Sequence, residues 1–178
     1  MDRLVLFSTS TYAVARQRSR MQASGTRVPG LWSVIIPSYN RLPILKRCIH
    51  SLDNQRLPSE SSGVAPAADG PSIVDLLDYE VVVVDDGSTD GTTEFFETRI
   101  SEGQYQRVRI YKSRHAGAAR ARNIGVVRSK GSVIVFLDSD MIVVPNFLAA
   151  HYATLMTSAD SAFSYGRVVN TVRLTVFL

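Results

Sequence analysis

The amino-acid sequence predicts an α/β fold, a doubly wound and mostly parallel sheet with helices on both faces. Three observations carry this. Tyr79–Val84, broken only by Glu80, and Val133–Leu137 are apolar runs of strand length, and they are continuous, as in strands buried on both faces. Between such runs lie stretches with helical spacing. The polar clusters all follow strands, and ligands of such sheets bind beyond the carboxyl ends of the strands.

Residues 1–30 show no clear periodicity and read as a loose basic leader. Leu4–Phe7 and Ala13–Ala15 only faintly mimic a signal peptide, because Ser8–Thr11 interrupt the apolar stretch. From Leu31 the pattern is regular. Trp32–Ile36 is a short β run ending at Pro37-Ser38-Tyr39-Asn40. Pro43 suits a first helical turn, and Leu45, Cys48, Ile49 and Leu52 follow on one helical face. Residues 56–72 are small and polar with three prolines, a surface loop inserted into the domain. After Tyr79–Val84, Asp85–Gly91 supply turn and cap chemistry for a helix over Thr92–Ile100. Val108–Tyr111 make a third strand, and a helix runs from Gly117 through Val127, with Gly131 placed as its C-cap. Val133–Leu137 form the fourth strand, Pro145 opens a helix to about Ser158, and Ala162–Val169 read as a fifth strand. The domain spans 31–170, and 171–178 start an element that the chain does not finish.

Composition excludes other classes. The 178 residues are 45% hydrophobic and 20% charged, a globular balance, with no run of ~18 apolar residues that could span a bilayer. One cysteine, Cys48, rules out a disulfide framework or a multi-cysteine zinc site and suits a reducing cytoplasm. Five arginines in 1–30, against Asp2 alone, account for the whole net charge of +4. Arg99–Lys130 holds nine basic residues and one acid, Glu102, a segment suited to solvent or to a polyphosphate. The aromatics do not interleave with these basic residues, so nucleic acid is not the expected partner.

Three clusters carry chemistry. Asp138-Ser139-Asp140 follows a buried strand; residues two apart in an extended chain face the same way, so both carboxylates can converge on Mg2+ or Mn2+. A turn capping the next helix is the bland alternative. The haloacid-dehalogenase phosphatases also present Asp-x-Asp after a strand, but on their first strand and with a long core behind it. Asp85-Asp86-Gly87-Ser88 could read a base or sugar, or cap a helix. A dinucleotide fold is excluded, because Pro37–Arg41 stand where a Gly-x-Gly-x-x-Gly turn belongs. In Gly117–Asn123, small residues permit close backbone approach while Arg120 and Arg122 suit phosphate oxygens. His115 adjoins this turn and is a candidate lining residue. His50 and His151 read as surface or boundary residues, and Cys48 as core.

Read together, Ser33–Arg41, Val81–Gly91, Gly117–Gly125 and Val133–Asp140 resemble, in order and spacing, the family 2 glycosyltransferases over residues 32–170. The resemblance implies a GT-A fold and inverting transfer from a nucleotide-diphospho-sugar, commonly a UDP-sugar, to a hydroxyl of a glycan, lipid or polysaccharide, with Mg2+ or Mn2+. It places Pro37 and Tyr39 beside the base, Asp86 on the base with Asp85 next to it, and Arg122 and Asn123 along the sugar-nucleotide pocket. Asp138 and Asp140 become the metal pair, with Asp138 also near the ribose. Such a protein would work in the cytoplasm or at the cytoplasmic face of a membrane.

The departures set further expectations. The family's general base is a carboxylate well downstream, and Asp160 is the single acid after Asp140. The chain therefore reads as a donor-binding half that ends before an acceptor-binding half, with the catalytic base unassigned. A nucleotide-sugar-binding fragment that pairs through an unfinished sheet edge is the rival reading. A nucleotidyltransferase, which would open with a Gly-rich loop, is a third.

Overall fold

The computed structural model describes residues 13–16, 31–55, 78–157 and 163–165. In chain order these form β1 (Ala13–Arg16), β2 (Trp32–Ser38), α1 (Leu42–Asp53), β3 (Tyr79–Asp85), α2 (Thr92–Ser101), β4 (Val108–Lys112), α3 (Ala118–Arg128), β5 (Val133–Phe136), α4 (Phe147–Thr157) and β6 (Phe163–Tyr165). The sheet order is β4-β3-β2-β5-β1-β6. β4, β3, β2 and β5 are parallel, and β1 runs antiparallel to both β5 and β6.

The apolar runs are buried on both faces, as the sequence predicts. Every residue of β2 and β3 is buried. On one face Val34, Ile36, Val81, Val83 and Val135 pack against Leu45, Cys48, Ile49 and Leu52 of α1, Phe96 of α2 and Leu148 of α4. On the other, Ile35, Val82, Val84 and Ile134 pack against Ala121 and Val126 of α3. Burying such side chains stabilises the fold by roughly 1.5–3 kcal/mol each. Winding therefore reverses at β2: β3 and β4 are added on one side of it and β5 on the other. That reversal opens a crevice beyond the carboxyl ends of β2 and β5.

The one buried carboxylate in the middle of the described parallel strands is matched by partners. Glu80 stands at 8% exposure in β3 and accepts hydrogen bonds from Ser33 Oγ and the Lys130 amide, both at 2.6 Å, and an ion pair with Arg109. Burial pushes its carboxyl up, but the bonds from Ser33 and Lys130 and the charge of Arg109 outweigh that and hold it below the usual range.

Several expectations change. Ala13–Arg16 lie in the stretch without periodicity, yet pair with β5 and β6; four residues of Ala-Val-Ala-Arg are too few to show alternation. Gly131 is not a C-cap, since Ser129, with extended backbone, ends α3. Gly131 instead lies where a Cβ would fall 2.5 Å from the Leu31 carbonyl oxygen, so only a residue without a side chain fits. α4 begins at Phe147, two residues after Pro145. His151 is buried against Phe147, and burial lowers its pKa. The rest of the leader, the loop 56–72, Asp160 and 171–178 lie outside the described residues.

Candidate functional site

The register aligns the carboxyl ends of the parallel strands. Ser38 of β2 sits opposite Asp85 of β3, and Asp85 opposite Lys112 of β4. The loops that follow, Tyr39–Arg41, Asp86–Gly91, Ser113–Gly117 and Asp138–Asp140, therefore meet above one edge of the sheet.

Side chains staple the first two loops together. Asn40, in the left-handed region at φ 50°, donates its amide to Ser88 Oγ at 2.9 Å, and its Oδ1 accepts the Thr89 amide at 2.8 Å. Asp90 serves two helices at once. Its Oδ2 accepts the Leu42 amide at the start of α1 at 2.9 Å, and its Oδ1 accepts the amide and hydroxyl of Thr92 at the start of α2. α1 has no side-chain cap from its own N-cap residue, Arg41, so Asp90 supplies that cap from 48 residues away.

The two adjacent acids do different work. Asp85, placed with the nucleotide-binding residues by the sequence, is turned inward at 0% exposure. Its Oδ1 accepts the Ser88 amide at 2.8 Å and its Oδ2 the Thr93 hydroxyl, so its carboxylate shapes the loop and does not face a ligand. Neighbouring residues of a strand point to opposite sides. Asp86 accordingly reaches the other way, accepting the amides of Ala116 at 3.0 Å and Gly117 at 2.7 Å and meeting His115 Nδ1 at 2.9 Å. Gly87, at φ 82°, lets the chain pass where a Cβ would lie 2.9 Å from the His115 amide nitrogen. Above Asp86, the rings of Tyr39 and His115 stack with centroids 4.1 Å apart. Tyr39 is 43% exposed, so this pair presents an aromatic face to solvent. Pro37 is buried in β2, and the Ser38 hydroxyl beside it is buried without a hydrogen-bond partner among the described residues.

Across the crevice stands the Asp-x-Asp pair. Arg122 of α3 donates to Asp138 Oδ1 at 2.5 Å, and Arg41 donates to Asp140 Oδ2 at 2.6 Å. The second carboxylate oxygen of each aspartate is outside these pairs, and both side chains are partly exposed, 35% and 49%. Two hard carboxylates in this setting fit Mg2+ or Mn2+ that completes its shell with phosphate oxygens and water. Among the described residues no group of three or more His, Cys, Asp or Glu converges. Asn123 lies on the exposed side of α3 and joins none of these bonds. Beneath the pair, Cys48 Sγ is 3.7 Å from the Asp138 carbonyl oxygen. Burial first, and then the charges of Asp140 and Asp138, push its thiol up to about 12, so it is no nucleophile.

The family model "Glycosyl transferase family 2" matches residues 33–174. The chain belongs to this family. Glycosyltransferase AglE of Haloferax volcanii is 33% identical over 109 residues, 61% of this chain and 30% of that protein. S. aureus TarS 1-349 in complex with UDP is 25% identical with a TM-score of 0.52, covering 71% of this chain and 32% of that TarS fragment. Mannosyltransferase PcManGT from Pyrobaculum calidifontis, solved with GDP-Man and Mn2+, has a TM-score of 0.54 at 22% identity, covering 74% of this chain and 33% of its own; it shares the fold. This family 2 chain thus covers about a third of AglE, of the TarS 1-349 fragment and of PcManGT, and 19% of the longer TarS chain. No helix among the described residues is long and apolar enough to cross a membrane.

Two members of the cluster escaped the sequence reading. Arg41 ends the first motif but meets Asp140 only through the fold, 99 residues on. Asp90 looked like turn chemistry, and its second helix is invisible without the tertiary structure. His115, read as a candidate, does stand over Asp86.

Proposed function

We propose that this family 2 domain binds a nucleotide-diphospho-sugar and carries the donor side of an inverting glycosyl transfer to a hydroxyl acceptor. One observation carries the proposal: an aromatic face over a buried carboxylate, Tyr39 and His115 over Asp86, shares one crevice with two arginine-paired aspartates. The first half suits a base and ribose, and the second suits a diphosphate. S. aureus TarS, which shares the fold at 25% identity, holds UDP.

In this reading Tyr39 offers its ring to the base and Asp86 its remaining acceptor capacity. Asp138 and Asp140 would hold the divalent cation, which neutralises charge developing on the departing nucleoside diphosphate. Arg122 keeps Asp138 oriented, and its positive charge would also favour the departing diphosphate. Among the described residues beyond Asp140 there is no carboxylate to accept the acceptor's proton, so the proposal covers donor binding and leaving-group stabilisation. The lone, buried Cys48 suits a reducing cytoplasm.

Calorimetric titration with UDP and then GDP, with and without Mn2+, tests it. Metal-dependent binding that is lost in Asp140→Ala is the expected result. Binding unaffected by Mn2+, or retained in full by Asp140→Ala, would make the pair a structural cap and refute the assignment.

A further inference from the structure

We propose that Arg41 is a positioning residue shared between Asp140 and the donor's diphosphate, so that Arg41 and a divalent cation compete for one carboxylate. The inference rests on the donor-site reading above and deepens it. Arg41 Nη1 and Asp140 Oδ2 are 2.6 Å apart, and each side chain is 49% exposed. Among the described residues this is the single hydrogen bond of the Arg41 side chain, which uses one of its five guanidinium donors. The other pair differs: Arg122 is 22% exposed and projects from the middle of α3.

An exposed, singly bonded ion pair is weak, and a divalent ion brings twice the charge to the same oxygens. The backbone beneath Arg41 is meanwhile fixed. Its carbonyl accepts the amides of Ile44 and Leu45 at the start of α1, and Asn40 before it is tied to Ser88 and Thr89. Displacement from Asp140 therefore swings the side chain alone about a stationary Cα. Arg41 follows β2, at the point where winding reverses, so the freed guanidinium stays at the mouth of the crevice. A planar fork of donors beside a metal-held diphosphate pairs with its oxygens two at a time.

Arg41 thus has opposite effects on two ligands, which a purely structural role would not produce. Binding of Mn2+ alone is read from the paramagnetic resonance signal of the free ion, and binding of UDP at saturating Mn2+ by calorimetry, on the full chain and on Arg41→Gln. Expected is Mn2+ binding about two- to fivefold tighter in Arg41→Gln, with UDP binding roughly tenfold weaker. Arg41→Lys, which keeps the charge without the fork, should keep the wild-type Mn2+ affinity and recover part of the UDP affinity. Circular dichroism confirms that each variant is folded. If wild type shows no metal-dependent UDP binding, the donor-site reading falls and this inference with it. If wild type shows it but Arg41→Gln binds Mn2+ no more tightly, or binds UDP equally well, the competition is refuted and the donor site stands.

Discussion

Gly125→Ala would normally help a helix, and here it should do harm. Alanine exceeds glycine in helix propensity by about 1 kcal/mol, and Gly125 lies inside α3. The added Cβ, however, would sit 2.3 Å from Ile35 Cγ2 and 3.4 Å from Ile35 Cβ and Cγ1. Carbon atoms pack at roughly 3.5–4.0 Å, so α3 must withdraw from the sheet by more than an ångström or Ile35 must leave its rotamer. Ile35 is fully buried among Val82, Val84, Ala121 and Ile134, which leaves it little room. Overpacking costs about 1–3 kcal/mol, and a misfit this large belongs at the upper end. Setting the propensity gain against it leaves a net loss of about 2 kcal/mol. In urea denaturation this should lower the midpoint by about 1 M with an unchanged slope. The cause is checked with Ile35→Ala, which alone should cost about 2–5 kcal/mol but opens the space the methyl needs. The double variant should therefore cost less than the two singles together by about 1–3 kcal/mol. Strict additivity, or a Gly125→Ala variant as stable as wild type, would refute the reasoning. Arg122 lies one turn earlier on α3, so the same withdrawal should loosen its pair with Asp138 and weaken metal-dependent UDP binding.

Two other predictions concern buried groups. Cys48, with its thiol pushed up to about 12, should resist a thiol-specific disulfide reagent at neutral pH and react at once in urea; rapid labelling of the folded chain would contradict its burial. Glu80, whose carboxyl is held below the ordinary 4.5, contributes stability that is present above that value and lost as pH falls through its folded pKa. Glu80→Gln should cost about 2 kcal/mol at neutral pH and flatten the acid limb of the stability profile; an acid limb identical to wild type would show that other carboxylates govern it.

What the sequence disclosed and what it hid have physical reasons. Tyr79–Val84 and the Leu45, Cys48, Ile49, Leu52 face were legible because burial imposes periods that survive in one dimension. β1 was not, since four residues carry too short a pattern, and its partners lie more than a hundred residues on. Asp85 and Asp86 look equivalent as letters, but strand alternation sends one into the loop and the other toward the crevice. Small residues are ambiguous for a related reason: Gly131 could answer a need for an unusual dihedral or for close approach, and only its distance to Leu31 distinguishes them. The Arg41 and Asp140 pair joins two motifs legible on their own, and nothing in either one signals the other.

The staples among Asn40, Ser88, Thr89 and Asp90 give the two ends of the crevice different stiffness. Around Tyr39 and Asp86, four loop-to-loop bonds tie the motifs of neighbouring strands into one piece whose ordering is completed during folding. A planar ring arriving there meets a surface already set, and little conformational entropy is lost. At the other end, long arginine side chains hold the aspartates, and one of those grips is exposed and single. In the proposed donor site, adjustment to different ligands would thus be concentrated at the charged end, and selection among rings would belong to the rigid one.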